Sequence, residues 1–384
     1  MTTPLPQGPP TGFDGSPQET PPKERARDPW AIAMGLIGGV LLGTGLTFAI
    51  LGYVGVFEEP TPPTIPPAPI LTAPSPTSPP PTFGDNASVA SVAARVIPST
   101  VAVELSSFLQ EGSGSGVVFG DGGYIITNHH VVDGAGTIFV VFTDGARFEA
   151  EVVGTDPVTD IAVLLVRRSD LAPMPIGSAN DLTIGEPAVA VGNPLGLPGG
   201  PTVTTGIVSA LDRRLRTGFQ TELVGLIQTD APIAPGSSGG ALVDASGRLI
   251  GITTAIAVSD VGAEGLGFAV PVEIATGVAN DLIDDGEVRH ALLGIVGDTA
   301  WAQADGAEFP VGVLVADVAS GSAFAEAGGQ INDVILAVGD AEVRTIDSLL
   351  ARLRPYRAGD VVPIRILRGD VETTMDVTMG LLTP

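Results

Sequence analysis

The chain has 384 residues, with 18 Lys and Arg against 43 Asp and Glu, so its formal net charge is −25. A charge of this sign opposes contact with phosphates, and we expect no nucleic-acid partner. The sequence has no cysteine, which excludes disulfides, cysteine-ligated metals and a cysteine nucleophile. It has three histidines, and it carries no metal-ligand cluster and no phosphate-binding loop, so we expect no metal and no cofactor.

The N-terminal region divides into three segments by composition. Residues 1–29 are rich in Pro, Gly and Thr, which predicts a disordered tail. Residues 30–57 carry no charge and exceed the length needed to cross a bilayer, which favours a retained transmembrane helix over a cleaved signal peptide or a buried helix. Residues 58–85 are rich in proline and predict an extended linker.

The charges that flank residues 30–57 predict the orientation of this span. Basic residues precede it, and two glutamates follow it. The positive-inside rule then leaves the N-terminus in the cytoplasm. We therefore expect a single-pass protein of the cell membrane, with everything beyond residue 57 extracytoplasmic. The basic residues are Lys23, Arg25 and Arg27.

Two β-rich regions follow the linker. Residues 86–284 contain short Val- and Ile-rich runs, such as "TVAVEL" and "GYIITN", separated by Gly, Asp-Gly and Asn-Pro turns. This spacing indicates antiparallel barrels or a pair of sandwiches, with a helix over residues 272–284. Residues 288–384 form a second, smaller β-rich module with a helix in its last third. The class is mainly β.

The stretch "PGSSGGALVD" offers a candidate nucleophile. A serine attacks when an imidazole takes its proton, a carboxylate orients that imidazole and backbone N–H groups await the oxyanion. Ser238 fits the Gly-x-Ser-x-Gly pattern of esterases. However, a strand rather than a helix follows it, and the one downstream histidine, His290, begins the next module. A lipase or esterase is therefore disfavoured, and the order His, Asp, Ser favours a two-barrel protease.

The other catalytic candidates lie upstream. His129 and His130 stand at the end of a β-run, before a Gly-rich turn. Asp160 immediately precedes the apolar run "IAVLLV", where we expect its carboxylate to turn inward. Asp156 is a rival, although an Asp before Pro157 is more typical of a turn cap.

Five motifs in series, "TNHHVV", "TDIAV", "GNP", "TGIVS" and "GSSGGAL", resemble those of the HtrA/Deg serine proteases, in particular the membrane-anchored bacterial type. The resemblance covers residues 86–384. It implies two six-stranded antiparallel β-barrels of the chymotrypsin-like fold over residues 86–284, and one PDZ domain over residues 288–384. It also implies a homotrimeric serine endopeptidase that degrades unfolded or misfolded proteins, with a PDZ-containing chaperone of little proteolytic activity as the alternative.

The resemblance assigns roles to residues. His130 is the expected general base, Asp160 its orienting carboxylate and Ser238 the nucleophile, while Gly236 and Ser238 supply oxyanion-hole N–H groups with Ser237 between them. The family usually has Asn at the position of Ser237. The second histidine, His129, also departs from the pattern; on an alternating strand its side chain would point away from that of His130.

The position six residues before the nucleophile, which selects the residue before the scissile bond in trypsin-like enzymes, is Pro232. It lies beside Ile233, and residues of "TTA" would form the opposite wall. With no charge to pair a basic side chain, we expect small or medium aliphatic residues there. The wall residues are Thr253, Thr254 and Ala255.

The C-terminal module carries an expected peptide site. The sequence "LLGI" resembles the carboxylate-binding loop of PDZ domains, where a peptide C-terminus would add as a strand. In the family an arginine after the "GIVSA" strand relays PDZ occupancy to the active site. Arg213 is the best match, Arg214 and Arg216 are rivals, and a solvated basic loop is the alternative. The peptide-site candidates are Leu292, Leu293, Gly294, Ile295, Leu349 and Leu350.

Overall fold

The computed structural model describes residues 88–106, 111–193, 200–216, 222–254, 266–304 and 306–382. These residues all belong to one compact unit of the chain. The expected tail and transmembrane helix, and the linker, lie outside them. Within the described residues, no helix is long and apolar enough to cross a membrane.

The first barrel is closed, with strand order β1-β2-β3-β6-β5-β4. Its inner face is filled by β-branched and other aliphatic side chains that alternate along the strands, such as Val101, Val103 and Leu164, all fully buried. The strands are β1 (Thr100–Ser106), β2 (Glu111–Phe119), β3 (Tyr124–Thr127), β4 (Thr137–Val141), β5 (Arg147–Asp156) and β6 (Ile161–Val166). Helix α1 (Val89–Val96) precedes this barrel and begins with a capping box formed by Ser88 and Ser91.

The second barrel is also closed, with strand order β10-β11-β12-β9-β8-β7. The expected pair of six-stranded antiparallel barrels is therefore confirmed. The strands are β7 (Pro187–Gly192), β8 (Thr202–Arg216), β9 (Glu222–Thr229), β10 (Ala241–Val243), β11 (Leu249–Thr254) and β12 (Gly267–Pro271).

A short helix and a long helix complete the protease region. The four-residue helix α2 (His129–Val132) follows β3. Helix α3 (Val272–Asp284) confirms the helix predicted over residues 272–284. Its Leu282 lies against Gly154 of β5, where a Cβ would meet the leucine side chain at 2.8 Å. Because α3 follows the second barrel in the chain and packs on the first, it ties the two barrels together.

The C-terminal module is a sheet of strand order β14-β15-β16-β18-β19, with β17 paired to β16 and a separate β13-β20 pair. Strand β14 therefore lies at an edge of the sheet. The helices are α4 (Ala323–Glu326) and α5 (Ile346–Leu353). The strands are β13 (Ala291–Leu292), β14 (Ile295–Ala304), β15 (Ala307–Val318), β16 (Val334–Val338), β17 (Ala341–Glu342), β18 (Val361–Arg368), β19 (Val371–Thr378) and β20 (Gly380–Leu381).

Helix α5 packs against the second barrel as well as its own sheet. Leu349 is buried in the core of the module, whereas Ala351 lies over Gly225 of β9. Gly225 has a φ of 75°, and a Cβ there would stand 3.0 Å from the Cβ of Ala351. The two ion pairs Arg352–Asp212 (2.9 Å) and Arg214–Asp347 (3.1 Å) flank this contact.

Candidate active site

The catalytic histidine and aspartate come from the first barrel. His130 lies on α2, and Asp160 ends the turn between β5 and β6. The prediction that both histidines end a β-run is wrong in detail, because β3 stops at Thr127 and residues 129–132 form a helical turn. Asp160 is 5 % exposed, which confirms the inward carboxylate. Its φ of 60° falls in the left-handed region, which Asp and Asn tolerate better than most residues.

The carboxylate of Asp160 receives hydrogen bonds from three donors. The Nδ1 atom of His130 lies 2.9 Å from Oδ1 and 2.8 Å from Oδ2, and the backbone N–H of His130 donates to Oδ1 at 3.0 Å. The hydroxyl of Thr254 donates to Oδ2 at 3.0 Å. Since an ionised carboxylate only accepts, Nδ1 carries the imidazole proton and Nε2 presents its lone pair as a base.

His129 contacts the Asp160 turn through its backbone. The N–H of His129 donates to the carbonyl of Asp160 at 3.1 Å, and the amide of Asn128 donates to the same carbonyl at 2.9 Å. The side chain of His129 is partly exposed, as expected. The expected cause was wrong: the two side chains diverge because successive residues of a helical turn point in different directions, and strand alternation plays no part.

The serine comes from a tight turn between β9 and β10 in the second barrel. Ser238 is 5 % exposed. Gly236 and Gly239 have φ values of 89° and 85°, which glycine adopts without strain. A Cβ on Gly239 would clash with the carbonyl of Ser115 on β2, and one on Gly240 would meet the Val191 carbonyl at 2.5 Å. Gly239 is therefore required by the close approach of the first barrel, and Gly240 by the packing of the turn on β7 within its own barrel.

Strand β11 brings this turn and the Asp160 carboxylate together. Thr253 donates its N–H to Gly240 (2.9 Å) and accepts from the N–H of Gly239 (2.8 Å). The next residue, Thr254, is the one bonded to Asp160. From the opposite side, the N–H of Ser115 donates to the carbonyl of Ser238 at 2.7 Å. The three predicted catalytic residues thus converge where the two barrels meet.

The turn also decides between the predicted oxyanion-hole residues. The N–H of Ser237 donates to the carbonyl of Ala234 at 2.9 Å, so it is committed within the turn. The N–H of Ser237 is therefore not available to an oxyanion, and Gly236 and Ser238 stay the predicted donors.

The predicted wall of the substrate pocket needs correction at Thr253 and Thr254. Thr254 is fully buried with its hydroxyl on Asp160, so it supports the catalytic carboxylate and does not line a pocket. Thr253 is 1 % exposed and directs its hydroxyl to the carbonyl of Ser237. Pro232 is exposed and Ile233 half-buried, while Ala255 lies outside the described residues.

Asp156, the rival carboxylate, does not contact His130. It caps its own turn by accepting from the N–H of Val158 (3.2 Å) and the hydroxyl of Thr159 (2.5 Å). Both its oxygens also lie 2.9 Å from Nε2 of His290, at the start of the C-terminal module. Burial opposes ionisation of this carboxyl, but the hydrogen bond and charge of His290, with the turn donors, outweigh burial and hold the pKa of Asp156 below its usual range.

The arginine predicted to relay PDZ occupancy keeps its hydrogen bond within the protease region. Arg213 donates to Gln228 at 2.8 Å. Its rival Arg214 pairs with Asp347 of α5 and also with Glu222 of β9, and Arg216 pairs with Glu222 as well. Arg213 and Arg214 both line a cavity of about 560 Å³ between β8 and the start of α5.

The predicted peptide-site residues surround β14. Gly294 has a φ of 75° and lies against Ser322, and Leu292 is exposed. Leu293 and Leu349 are instead buried in the module's core, so their side chains do not line an open groove. Ile295 and Leu350 are half-buried and stay candidates.

A His–Asp pair beside a glycine-bounded serine turn, between two closed antiparallel barrels, defines a serine protease of the trypsin-like class. The comparisons agree: residues 114–252 match the family described as a trypsin-like peptidase domain, and residues 278–379 match the PDZ domain family. The chain is 37 % identical to the serine protease PepD of Mycobacterium tuberculosis, over 94 % of this chain and 81 % of PepD.

Two further relatives extend this result. The chain is 40 % identical to the periplasmic pH-dependent serine endoprotease DegQ of Escherichia coli, over 70 % of this chain and 60 % of DegQ. A solved structure described as HtrA-type protease AlgW with tripeptide has a TM-score of 0.62 and 35 % identity, covering 77 % of this chain and 98 % of that one. The chain belongs to the HtrA/Deg family of serine proteases, and it is a serine endopeptidase.

Proposed function

We propose that this chain is a membrane-anchored, extracytoplasmic endopeptidase that degrades or processes unfolded and misfolded proteins under the control of its PDZ domain. The observation that carries the proteolytic part is the bidentate His130–Asp160 pair beside the turn that holds Ser238. The anchor and its orientation rest on residues 30–57 and their flanking charges.

The arrangement supports acyl transfer through Ser238. His130 Nε2 takes the hydroxyl proton as Ser238 attacks the peptide carbonyl, and Asp160 stabilises the imidazolium that results. The N–H groups of Gly236 and Ser238 bind the oxyanion. His130 then gives its proton to the leaving amine. A water molecule, deprotonated by His130, attacks the acyl-enzyme, and His130 returns this proton to Ser238 Oγ as the acid product leaves.

Substrate preference follows from the uncharged surroundings of the nucleophile. Pro232 and Ile233 offer no carboxylate to a basic side chain, so we propose cleavage after small or medium aliphatic residues such as Val or Ala. Unfolded clients suit this site, since an extended chain must enter between the two barrels.

The PDZ domain is proposed to bind peptide C-termini along β14, whose position at the sheet edge suits addition of a strand. The solved relatives described as AlgW with tripeptide and with decapeptide are consistent with peptide recognition in this family. The direct contacts between α5 and the second barrel favour a regulatory role for the domain, and a homotrimer is the proposed assembly.

The decisive experiment is degradation of casein by residues 86–384. Ser238→Ala should abolish it, whereas the matched control Ser237→Ala, whose N–H is committed to Ala234, should keep at least partial activity. Equal loss in both folded variants would contradict the assignment. A chain that binds casein but neither cleaves it nor reacts with a fluorophosphonate would instead be a chaperone.

The membrane topology has its own test. A protease added to intact cells should remove everything beyond about residue 82 and leave a small N-terminal fragment. Protection of the C-terminal region would contradict the proposed orientation.

A further inference from the structure

Two buried hydroxyl groups hold consecutive carbonyls of the nucleophile turn. Ser115, on β2 of the first barrel, donates its hydroxyl to the carbonyl of Gly236 at 2.8 Å. Thr253, on β11 of the second barrel, donates its hydroxyl to the carbonyl of Ser237 at 2.7 Å. The turn that contains both candidate oxyanion donors is therefore fixed from both barrels.

Because the peptide bond is planar, a contact that fixes a carbonyl also fixes the direction of the N–H group in the same peptide. In a trans peptide the C=O of one residue and the N–H of the next point in opposite directions within one plane. The hydroxyl of Thr253 on the Ser237 carbonyl thus sets the direction of the Ser238 N–H. The carbonyl of Gly236 and the N–H of Ser237 share the preceding plane, which Ser115 holds at one end and Ala234 at the other.

Both hydroxyls are shielded from water. Ser115 is fully buried and Thr253 is 1 % exposed. The Oγ of Ser115 also accepts from the N–H of Asn193 at 2.8 Å, so its proton must point to Gly236. Gly236, with its positive φ, is the residue that could most easily turn if this hydrogen bond were lost.

We propose that Ser115 and Thr253 are positioning residues: Thr253 directs the N–H of Ser238 at the substrate's carbonyl oxygen through the Ser237 carbonyl, and Ser115 fixes the Gly236–Ser237 peptide that lies between the two oxyanion donors. Neither residue touches the reacting atoms. The inference rests on the proposed function of the site, and it assigns to Thr253 a part in catalysis in place of a pocket wall.

The test compares Ser115→Ala and Thr253→Val with Thr100→Val in the full-length protein. Thr100 is an equally buried threonine whose hydroxyl donates to the Val96 carbonyl at 3.1 Å, away from the nucleophile turn. Loss of a direct oxyanion donor lowers kcat by about 10²- to 10³-fold. We expect a smaller loss here, about 10-fold, with KM nearly unchanged. Thr253→Ser keeps the hydroxyl and should restore kcat.

A second readout separates positioning from general damage. A peptidyl trifluoromethyl ketone forms a tetrahedral adduct with an oxyanion, so its affinity should fall in parallel with kcat/KM in Ser115→Ala and Thr253→Val. Binding of uncleaved substrate, measured with Ser238→Ala added to each variant, should stay as in Ser238→Ala alone.

Three results would overturn the inference. The first is a kcat in both variants equal to that of Thr100→Val. The second is a fall in kcat without a fall in affinity for the ketone. The third is a fall that Thr253→Ser fails to restore. If the wild type itself does not cleave and equals Ser238→Ala, the proposed function fails and this inference falls with it, a result distinct from the other three.

Discussion

The turn between β5 and β6 carries an aspartate at each end, Asp156 and Asp160, and each binds a histidine. The two histidine–aspartate pairs differ mainly in exposure. His130 binds both oxygens of Asp160 at 2.9 and 2.8 Å, and His290 binds both oxygens of Asp156 at 2.9 Å. The side chain of His130 is 23 % exposed, whereas that of His290 is 6 % exposed. Only three residues, 157–159, therefore separate the aspartate of a pair open to a substrate from that of a pair sealed between the protease region and the C-terminal module.

The difference shows that the pair alone does not define a catalytic site. A base must reach a substrate and a nucleophile, which requires an open imidazole beside the serine turn. A buried pair instead contributes to stability, since removing one partner leaves an uncompensated charge. The two pairs should thus respond to mutation in opposite ways, one in rate and the other in folding.

The largest expected effect of any substitution is the loss of kcat in Asp160→Asn. Asn tolerates the positive φ at this position, but its amide would favour the wrong imidazole tautomer. We expect kcat to fall about 10⁴-fold with little change in melting temperature. Peptide hydrolysis and thermal unfolding measure the two quantities, and Asp156→Asn is the matched control. If folded Asp156→Asn lost as much kcat as Asp160→Asn, the two pairs would not differ in catalytic role.

The second effect is on stability. His290→Ala removes the imidazole from the buried carboxylate of Asp156, which keeps its turn donors and the nearby charge of Arg354. We expect the free energy of unfolding to fall by about 3 kcal/mol, the lower end of the range for a broken buried pair. The rate per folded molecule should change only a few-fold. Denaturant unfolding gives the first quantity, and kcat corrected for the folded fraction gives the second. His129→Ala, a change at a half-buried histidine, should cost much less, and equal costs would count against a special role for His290.

The third effect depends on pH. The pKa of Asp156 is depressed on folding, so folding favours the ionised form of this carboxyl. Its contribution to stability is present above the ordinary pKa of 3.8 and is lost as the pH falls through the lower folded value. The melting temperature of Asp156→Asn should therefore lie below that of wild type at pH 7 and approach it near pH 3. A difference that stays constant over this range would contradict the linkage.

The smallest effect is expected at the exposed junction. Arg214 and Asp347 are 34 % and 41 % exposed, so their ion pair contributes about 0–1 kcal/mol. Arg214→Ala also removes the pair with Glu222, whose side chain is 32 % exposed. We still expect only a small change in unfolding, yet the substitution removes a direct link to α5. If PDZ occupancy is relayed here, stimulation by a peptide with an apolar C-terminus should weaken more in Arg214→Ala than in Arg213→Ala. The reverse order would restore Arg213 as the relay.

Alternating strands and glycine turns are local patterns, and they predicted a barrel or a pair of sandwiches. The choice of two barrels and the roles of His130, Asp160 and Ser238 came from the resemblance of five motifs to a known family. The sequence did not predict the helical turn at His129 and His130, since "HHVV" resembles the end of a strand. It placed Thr254 on a pocket wall because the direction of a side chain on β11 depends on tertiary packing. The His290–Asp156 pair joins residues 134 positions apart in the chain, which periodicity does not reveal.

The contact between Gly225 of the protease region and Ala351 of the PDZ domain limits which PDZ domains of relatives could replace this one. The protease contributes a residue without a side chain, and the module contributes one with a single methyl group, which a Cβ at position 225 would approach to 3.0 Å. A chimaera that joined this protease to another PDZ domain would need a small residue at the same place on its helix. The two positions are therefore expected to vary together, and a swap that ignored them would separate the domains.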